Sequence, residues 1–201
     1  MAAAMERASN QQARDMREQL LDWLPPSEIK PLLQKMAEPH GFFAASQGNM
    51  QFWREAWCGS EFALHQNSEA FRLCKSDPPD FEIISGGAVQ RWELAEIRQP
   101  NTRVNATFAE AAHRHNVGII QTVENFDLDY SWLSDRLSIT LQRKASKNYP
   151  DDIGLCIYIH DVWLFDDQIK EITRTITETM APYNANFRAI ATMVQDRVFT
   201  L

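Results

Sequence analysis

The sequence is poor in cysteine, in glycine and in long apolar runs. Its three cysteines, Cys58, Cys74 and Cys156, are odd in number and widely spaced, and no two of them form a CxxC pair. This pattern disfavours both a disulfide framework and a zinc site built on cysteine pairs. We expect the three side chains to be reduced, buried thiols.

No segment of the sequence resembles a membrane span or a signal peptide. The longest apolar stretches, such as Ile153–Ile159, are far too short to cross a bilayer. Near the start of the chain, Glu6, Arg7 and Arg14 interrupt the apolar region that a signal peptide would need. These features predict a cytoplasmic protein without membrane contact.

Basic residues are in the minority. The chain has 20 Lys and Arg against 27 Asp and Glu, which gives a formal net charge of -7 and a pI near 5.2. This balance excludes a protein that coats nucleic acid non-specifically, but not an enzyme with a locally basic phosphate-binding face. No GxSxG, P-loop or HExxH motif is present, which disfavours the hydrolases that those motifs mark.

Apolar residues, by contrast, are plentiful: 44% of the chain is hydrophobic, with six Trp and eleven Phe, enough for one packed domain. Helical periodicity and short apolar runs alternate, which predicts an α/β fold with a mixed central sheet flanked by helices. The predicted helices cover 1–23, 27–38, 49–65, 132–147 and 167–180, and the predicted strands cover 71–74, 81–84, 89–97, 154–159, 187–194 and 197–201. Within 99–125 the pattern is less regular, with a helix at 108–115 and a β-like run at 117–123 as open alternatives. We assign 1–48 to an N-terminal helical extension and 49–201 to the core of a single domain.

The most informative stretch of the sequence lies on a predicted hairpin. Pro79-Asp80 opens one strand, Gly86-Gly87 closes the turn, and Glu93 lies inside the partner strand. Because the hairpin folds back on itself, we expect Asp80 and Glu93 to approach each other on one side of the sheet. Two carboxylates on rigid strands, completed by a main-chain carbonyl and waters, suit Mg²⁺ or Mn²⁺. Such an ion activates water and polarises a phosphoryl oxygen.

These residues resemble the signature of the PD-(D/E)XK nuclease-like superfamily, which is also called restriction-endonuclease-like. The common core of that superfamily, helix–strand–strand–strand–helix–strand, is similar to the element order predicted for 49–159. The resemblance implies a metal-dependent nuclease in which Asp80 and Glu93 bind the metal and are catalytic. It also implies a further acidic ligand from the helix before the first strand, for which Glu55 is preferred over Glu61.

One position departs from the resemblance: Ala95 stands where the superfamily has a lysine. Three explanations remain open. The lysine's role has moved to Lys144 or Lys147 on the helix predicted at 132–147, or Glu96-Ile97-Arg98 is the functional trio, or the site is inactive. In a regular strand Glu93 and Glu96 lie on opposite faces, so only one of them can face Asp80. An arginine is also a poor general base, because it stays protonated.

The remaining candidates have simpler interpretations. His113 and His115 lack the further ligands that a transition-metal site needs, and we interpret them as surface histidines. His160-Asp161 follows the predicted buried strand, where it either supports a site from behind or forms a turn. The large aromatic residues of the predicted helices are expected to be core residues rather than base-stacking platforms; they are Trp53, Trp57 and Trp132.

The sequence therefore predicts a Mg²⁺- or Mn²⁺-dependent endonuclease whose substrate is nucleic acid, with DNA favoured over RNA. The predicted catalytic residues are Asp80, Glu93, Lys144 and Glu96, and the predicted metal ligands are Asp80, Glu93 and Glu55. The alternative function is an inactive nuclease-fold protein that binds a protein or nucleic-acid partner. A homodimer is left open.

Overall fold

The computed structural model describes residues 8–40, 48–100, 130–160, 169–194 and 197–200. The helix and the β-like run predicted within 99–125, together with His113, His115 and Asp161, lie outside these described residues. The described helices are α1 (Asn10–Glu18), α2 (Pro26–Ala37), α3 (Gln51–His65), α4 (Ser131–Ala145) and α5 (Ile169–Met180). The described strands are β1 (Ala70–Leu73), β2 (Phe81–Ser85), β3 (Ala88–Ile97), β4 (Ile153–Ile159), β5 (Ile190–Val194) and β6 (Arg197–Thr200).

All of these strands form one mixed sheet, in the order β1-β2-β3-β4-β5-β6. The strands β1, β2 and β3 are antiparallel neighbours, β3, β4 and β5 run parallel, and β6 returns antiparallel to β5. The parallel strands β4 and β5 are buried almost throughout, as expected for strands that are covered on both faces.

The β2–β3 hairpin is tight because of its glycines. Gly86 and Gly87 have φ angles of 59° and 74°, a left-handed conformation that glycine adopts at little cost and that a two-residue hairpin turn requires. The turn fixes the register from Ser85 opposite Ala88 to Phe81 opposite Trp92. A shift by one residue would turn every side chain of the strand to the opposite face of the sheet.

The helices α1, α2 and α3 cover one face of the sheet. Their apolar side chains join those of β1, β2 and β3 in a single buried cluster, in which Phe62, Phe71 and Phe81 have no exposed surface. The chain between α1 and α2 also pairs with the sheet edge, since Leu24 and Phe71 exchange backbone hydrogen bonds of 3.0 and 2.8 Å. The described part of the N-terminal region thus shares its core with the sheet.

The helices α4 and α5 cover the other face. Leu133, Leu137 and Leu141 recur at helical spacing along α4 and are fully buried, and Ile172 and Ile176 do the same on α5. They pack against the side chains that β3, β4 and β5 direct to this face. The prediction of an α/β fold with a mixed sheet flanked by helices is confirmed.

The differences between predicted and observed elements are at their ends. Helix α1 begins at Asn10 instead of residue 1. Its start is fixed by Ser9 and Gln12, which form a reciprocal capping box. Strand β5 begins at Ile190 instead of residue 187. Among the described residues, no helix combines the length and the apolar character needed to cross a membrane.

Candidate metal centre

The candidate site lies where β2 and β3 separate. The last residue pair of the hairpin is Phe81 opposite Trp92. Beyond this pair, β3 is no longer paired with β2 and continues paired with β4. There the Asp80 side chain bonds the backbone of β3: its Oδ2 accepts a 2.7 Å hydrogen bond from the backbone N–H of Leu94. The Asp80 N–H donates to the Trp92 carbonyl at 3.1 Å, which fixes the residue from the other side.

Three carboxylates converge here. One oxygen from each of Asp77, Asp80 and Glu93 lies within 4.8 Å of the others. Asp77 is exposed, Asp80 is half-buried and Glu93 is buried with 2% of its surface exposed. Carboxylate oxygens from several residues are the donor set that a hard divalent cation prefers. The structure therefore contains an acidic group that could hold a metal ion.

Glu93 has different partners on its two oxygens. Its Oε1 accepts hydrogen bonds from Lys144 Nζ at 2.6 Å and from the Tyr149 hydroxyl at 2.9 Å. Its Oε2 is buried and has no hydrogen-bond partner among the described residues. A buried carboxylate oxygen without a donor is costly, and a cation ligated there would remove that cost. The donor set thus fits a divalent cation.

The pKa of Asp80 also indicates that positive charge would stabilise the site. Burial, and then the negative charge of Glu93, raise the pKa of Asp80 to about 7, although the Leu94 hydrogen bond opposes the shift. Burial also raises the pKa of the nearby Glu55. Carboxyl groups crowded together in a partly buried site resist ionisation unless positive charge is supplied.

Two adjoining cavities, of about 340 and 330 Å³, open onto the acidic group. Both are lined by Gln51, Glu55, Asp77 and Asp80. The residues that they do not share include cations: Arg17 and Lys75 in the larger cavity, and Arg143, Lys144 and Lys147 in the smaller one. Both cavities therefore combine the shared acidic residues with cations of their own.

The predicted site residues are distributed as follows. Asp80, Glu93 and Lys144 form one hydrogen-bonded group around Leu94, whose carbonyl accepts from Lys144 Nζ at 3.0 Å. Glu55 lines both cavities and accepts from Gln51 at 2.7 Å, but it does not belong to the group of three converging carboxylates. Lys147 lines the smaller cavity.

Glu96 lies on the opposite face of β3 from Glu93, as strand alternation predicts. Leu94 packs in the cluster under α3, whereas Ala95 and Ile97 pack under α4 and α5. The Glu96 carboxylate is hydrogen-bonded by Arg54, Arg98 and His160. Glu96 and Arg98 therefore belong to an ion-pair cluster on the α3 face, whereas Ile97 packs on the other face, and the Glu96 carboxylate is not one of the three that converge.

Two residues of the site were not found by the sequence analysis. Asp77 is not among the predicted site residues, yet its carboxylate converges with those of Asp80 and Glu93. Tyr149 is not among them either, yet its hydroxyl donates to Glu93. The Asp-x-x-Asp spacing ahead of β2 is a signal that could have indicated Asp77.

No protein-family model matches the chain, and neither a curated protein nor a solved structure matches it. The chemistry of the site is therefore the basis for its interpretation.

Proposed function

We propose that this protein is a metal-dependent nuclease that hydrolyses phosphodiester bonds, with a site that resembles that of the PD-(D/E)XK superfamily. The observation that carries the proposal is the convergence of Asp77, Asp80 and Glu93 beside the Lys144 ammonium, which lies 2.6 Å from Glu93. Separate elements supply the carboxylates and the lysine, so the arrangement results from the fold and not from a local sequence repeat.

The order of the described elements supports the proposal. From α3 to β4 the described elements are a helix, three strands, a helix and a strand, which is the order of the superfamily's common core. The hairpin presents Asp80 and Glu93, and α3 presents Glu55 to the same cleft. Agreement in order and in site position is an analogy, and the function rests on the site itself.

Asp77, Asp80 and Glu93 would hold the cation, for which we propose Mg²⁺ or Mn²⁺. When bound, such an ion supplies Lewis-acid activation of water and of the scissile phosphate. Tyr149 and Lys144 hold Glu93 through Oε1, so that Oε2 stays available as a ligand. The Leu94 N–H holds Asp80 in the same way. Ligands fixed by such hydrogen bonds need little reorganisation when the ion enters.

In this proposal Lys144 takes the role of the superfamily's lysine, whose sequence position is occupied by Ala95. It comes from the last turn of α4, it is 7% exposed, and it bonds both Glu93 and the Leu94 carbonyl. An ammonium at this point would orient the attacking water and neutralise charge on the phosphate. Arg143 and Lys147 line the same cavity and supply further positive charge for a phosphodiester chain.

Cleavage of a panel of single- and double-stranded DNA and RNA in Mg²⁺ or Mn²⁺ tests the proposal. We expect cleavage of at least one substrate, and its loss in Asp80→Asn and Glu93→Gln. The matched controls are Asp135→Asn and Glu171→Gln, which make the same chemical changes at exposed positions on α4 and α5. Activity that survives both site variants would point to a contaminant or to a different site.

Calorimetric titration with Mn²⁺ separates an enzyme from a non-catalytic descendant of the same fold that binds a partner. Ala95 and the net charge of -7 are the features that suit such a descendant. We expect the wild-type protein to bind Mn²⁺ and Asp80→Ala to lose that binding, whereas Asp135→Ala keeps it. Equal titration curves for all three proteins would favour the non-catalytic alternative.

A further inference from the structure

A second group of charged side chains lies on the α3 face of the sheet. The Glu96 carboxylate accepts from Arg54 Nε at 3.2 Å and from Arg98 Nη2 at 3.3 Å, and it lies 2.8 Å from His160 Nε2. These side chains are only partly accessible, with exposed fractions between 17% and 25%. Burial alone would raise the pKa of Glu96, but the His160 hydrogen bond and the Arg54 charge outweigh it and lower the pKa to about 2.

A cavity of about 190 Å³ adjoins this group. Its walls combine aromatic rings with cationic or hydrogen-bonding groups. The residues concerned are Trp53, Trp57, Tyr158, Arg54, Arg98 and His160. None of these side chains is fully buried, and the Trp57 ring already contacts both Trp53 and the Lys30 ammonium, which lies 4.8 Å from the ring centroid.

The aromatic wall is held rigidly. The rings of Trp53 and Trp57 stack with centroids 5.1 Å apart and an interplanar angle of 14°, and the Trp53 indole N–H donates to the Leu33 carbonyl at 3.2 Å. On the other wall, Tyr158 meets His160 edge to face at 4.5 Å. Because the rings are already ordered, a planar ligand that packs against them would lose little affinity to ordering.

The charges of the cavity suit an anion. Among the described residues that line the cavity, Arg54 and Arg98 are cationic and none is acidic, although the adjoining Glu96 carboxylate pairs with both guanidinium groups. Arg98 donates to Glu96 through Nη2, which also lies 3.3 Å from His160 Nε2, whereas a guanidinium has five N–H donors. Aromatic rings beside arginines are the combination that binds a base together with its phosphate.

We propose that this cavity binds one nucleotide unit, with the base against the Trp53 and Tyr158 walls and a phosphate at Arg98. The inference rests on the proposed nuclease function for its source of nucleotide. Glu96 lines the 330 Å³ cavity at the acidic group and also contacts Arg54 and Arg98, which line the 190 Å³ cavity, so Glu96 lies between the two cavities. A strand that crosses the acidic group can therefore place a neighbouring nucleotide here.

Tryptophan fluorescence in EDTA tests this site without the metal-dependent reaction. The probes are dAMP, deoxyadenosine and inorganic phosphate. We expect dAMP to quench fluorescence saturably and to bind more tightly than either fragment, because only dAMP satisfies both the aromatic and the cationic walls. Absence of saturable dAMP binding at millimolar concentration, or equally tight binding of inorganic phosphate, overturns the proposal.

Substitutions locate the binding. Arg98→Gln is expected to weaken dAMP binding on the order of tenfold, the loss of one charged hydrogen-bonding partner. Arg174→Gln on the exposed face of α5 is the matched control and is expected to change nothing. Glu96→Gln is expected to tighten dAMP binding, because it removes the carboxylate that competes for the two arginines. Weakening by Glu96→Gln that equals the Arg98→Gln effect would show a purely structural cluster and contradict the proposal.

Two further experiments distinguish failure of this inference from failure of the nuclease proposal and identify the source of the nucleotide. Glu93→Gln is expected to abolish cleavage and to leave dAMP binding in EDTA unchanged, so loss of either property can be assigned to its own site. A 5′-phosphorylated dinucleotide that displaces dAMP supports a nucleic-acid strand as the source, and its failure to do so overturns that part of the proposal.

Discussion

Lys144 Nζ lies 2.6 Å from Glu93 Oε1, although 51 residues separate them in the sequence. Both side chains are buried, with 7% and 2% of their surfaces exposed. A salt bridge this deep contributes little net stability, because desolvation offsets the attraction, but breaking it from one side is costly. Stability alone therefore does not account for the pair, which agrees with the role that we propose for it in the site.

Lys144→Met is expected to lower the free energy of unfolding by about 3–5 kcal/mol, because it leaves the Glu93 charge buried without its partner. Urea denaturation in EDTA measures this loss. The double variant Glu93→Gln/Lys144→Met should lose less than the sum of its single variants, since it removes both charges. Lys170→Met, on the exposed face of α5, is the control for the loss of a lysine. Strictly additive losses would show that Lys144 and Glu93 do not interact.

The position of Ala95 allows a second experiment. Ala95 lies on the same face of β3 as Glu93 and packs under α4. Lys144→Met should lower kcat by roughly 10²–10³-fold, the cost of removing one group that stabilises charge in the transition state. Ala95→Lys in that background should restore part of the activity, because it returns an ammonium to the same cavity. Wild-type turnover in Lys144→Met would show that Lys144 has no catalytic role.

The raised pKa of Asp80 predicts a pH dependence of stability. In the absence of metal, folded Asp80 keeps its proton up to about pH 7, whereas the unfolded side chain releases it near 3.8. The stabilisation from this protonation is present below pH 3.8 and is lost as the pH rises through 7. The unfolding free energy of the wild type minus that of Asp80→Asn should therefore fall between pH 5 and pH 7 and level off by pH 8. Denaturation curves in EDTA that give a constant difference would contradict the assignment.

Gly154 allows the close approach of Trp92, the neighbour of Glu93. A methyl group at Gly154 would lie 2.6 Å from the Trp92 ring, too close for any side chain. Gly154→Ala should therefore cost about 1–3 kcal/mol, as overpacking does, and disturb the strand that carries Glu93. Gly48→Ala, where nothing lies within 4 Å, is the control. Thermal unfolding of both variants measures the effect, and equal melting temperatures would refute it.

Local chemistry made much of the fold predictable from sequence. The Gly86-Gly87 pair, with alternating residues on each side, indicated the β2–β3 hairpin, and that hairpin brings the Asp80 and Glu93 carboxylates close together. The continuous apolar run of β4 indicated a strand buried on both faces. In each case the signal lies within a few residues, where backbone geometry and side-chain alternation leave few alternatives.

The rest of the site depends on contacts between distant elements. The sequence offered both Lys144 and Lys147 for the missing lysine, with Lys144 as the predicted catalytic residue, and the contact between Lys144 and Glu93 depends on the packing of α4 on β3. Tyr149 and Asp77 lie in connecting segments, where the sequence predicts a turn but not which distant residue a side chain contacts. The Glu96 cluster could not be predicted for the same reason, because its side chains come from α3, from β3 and from the end of β4.

Anomalous diffraction from crystals grown with Mn²⁺ tests the central claim most directly. The account predicts one manganese peak at roughly 2.0–2.2 Å from carboxylate oxygens of both Asp80 and Glu93, the distance expected for a small hard cation. Crystals of Glu93→Gln grown in the same way should show no peak there. A wild-type map without manganese at this position, or with manganese bound by neither of the two carboxylates, would contradict the account.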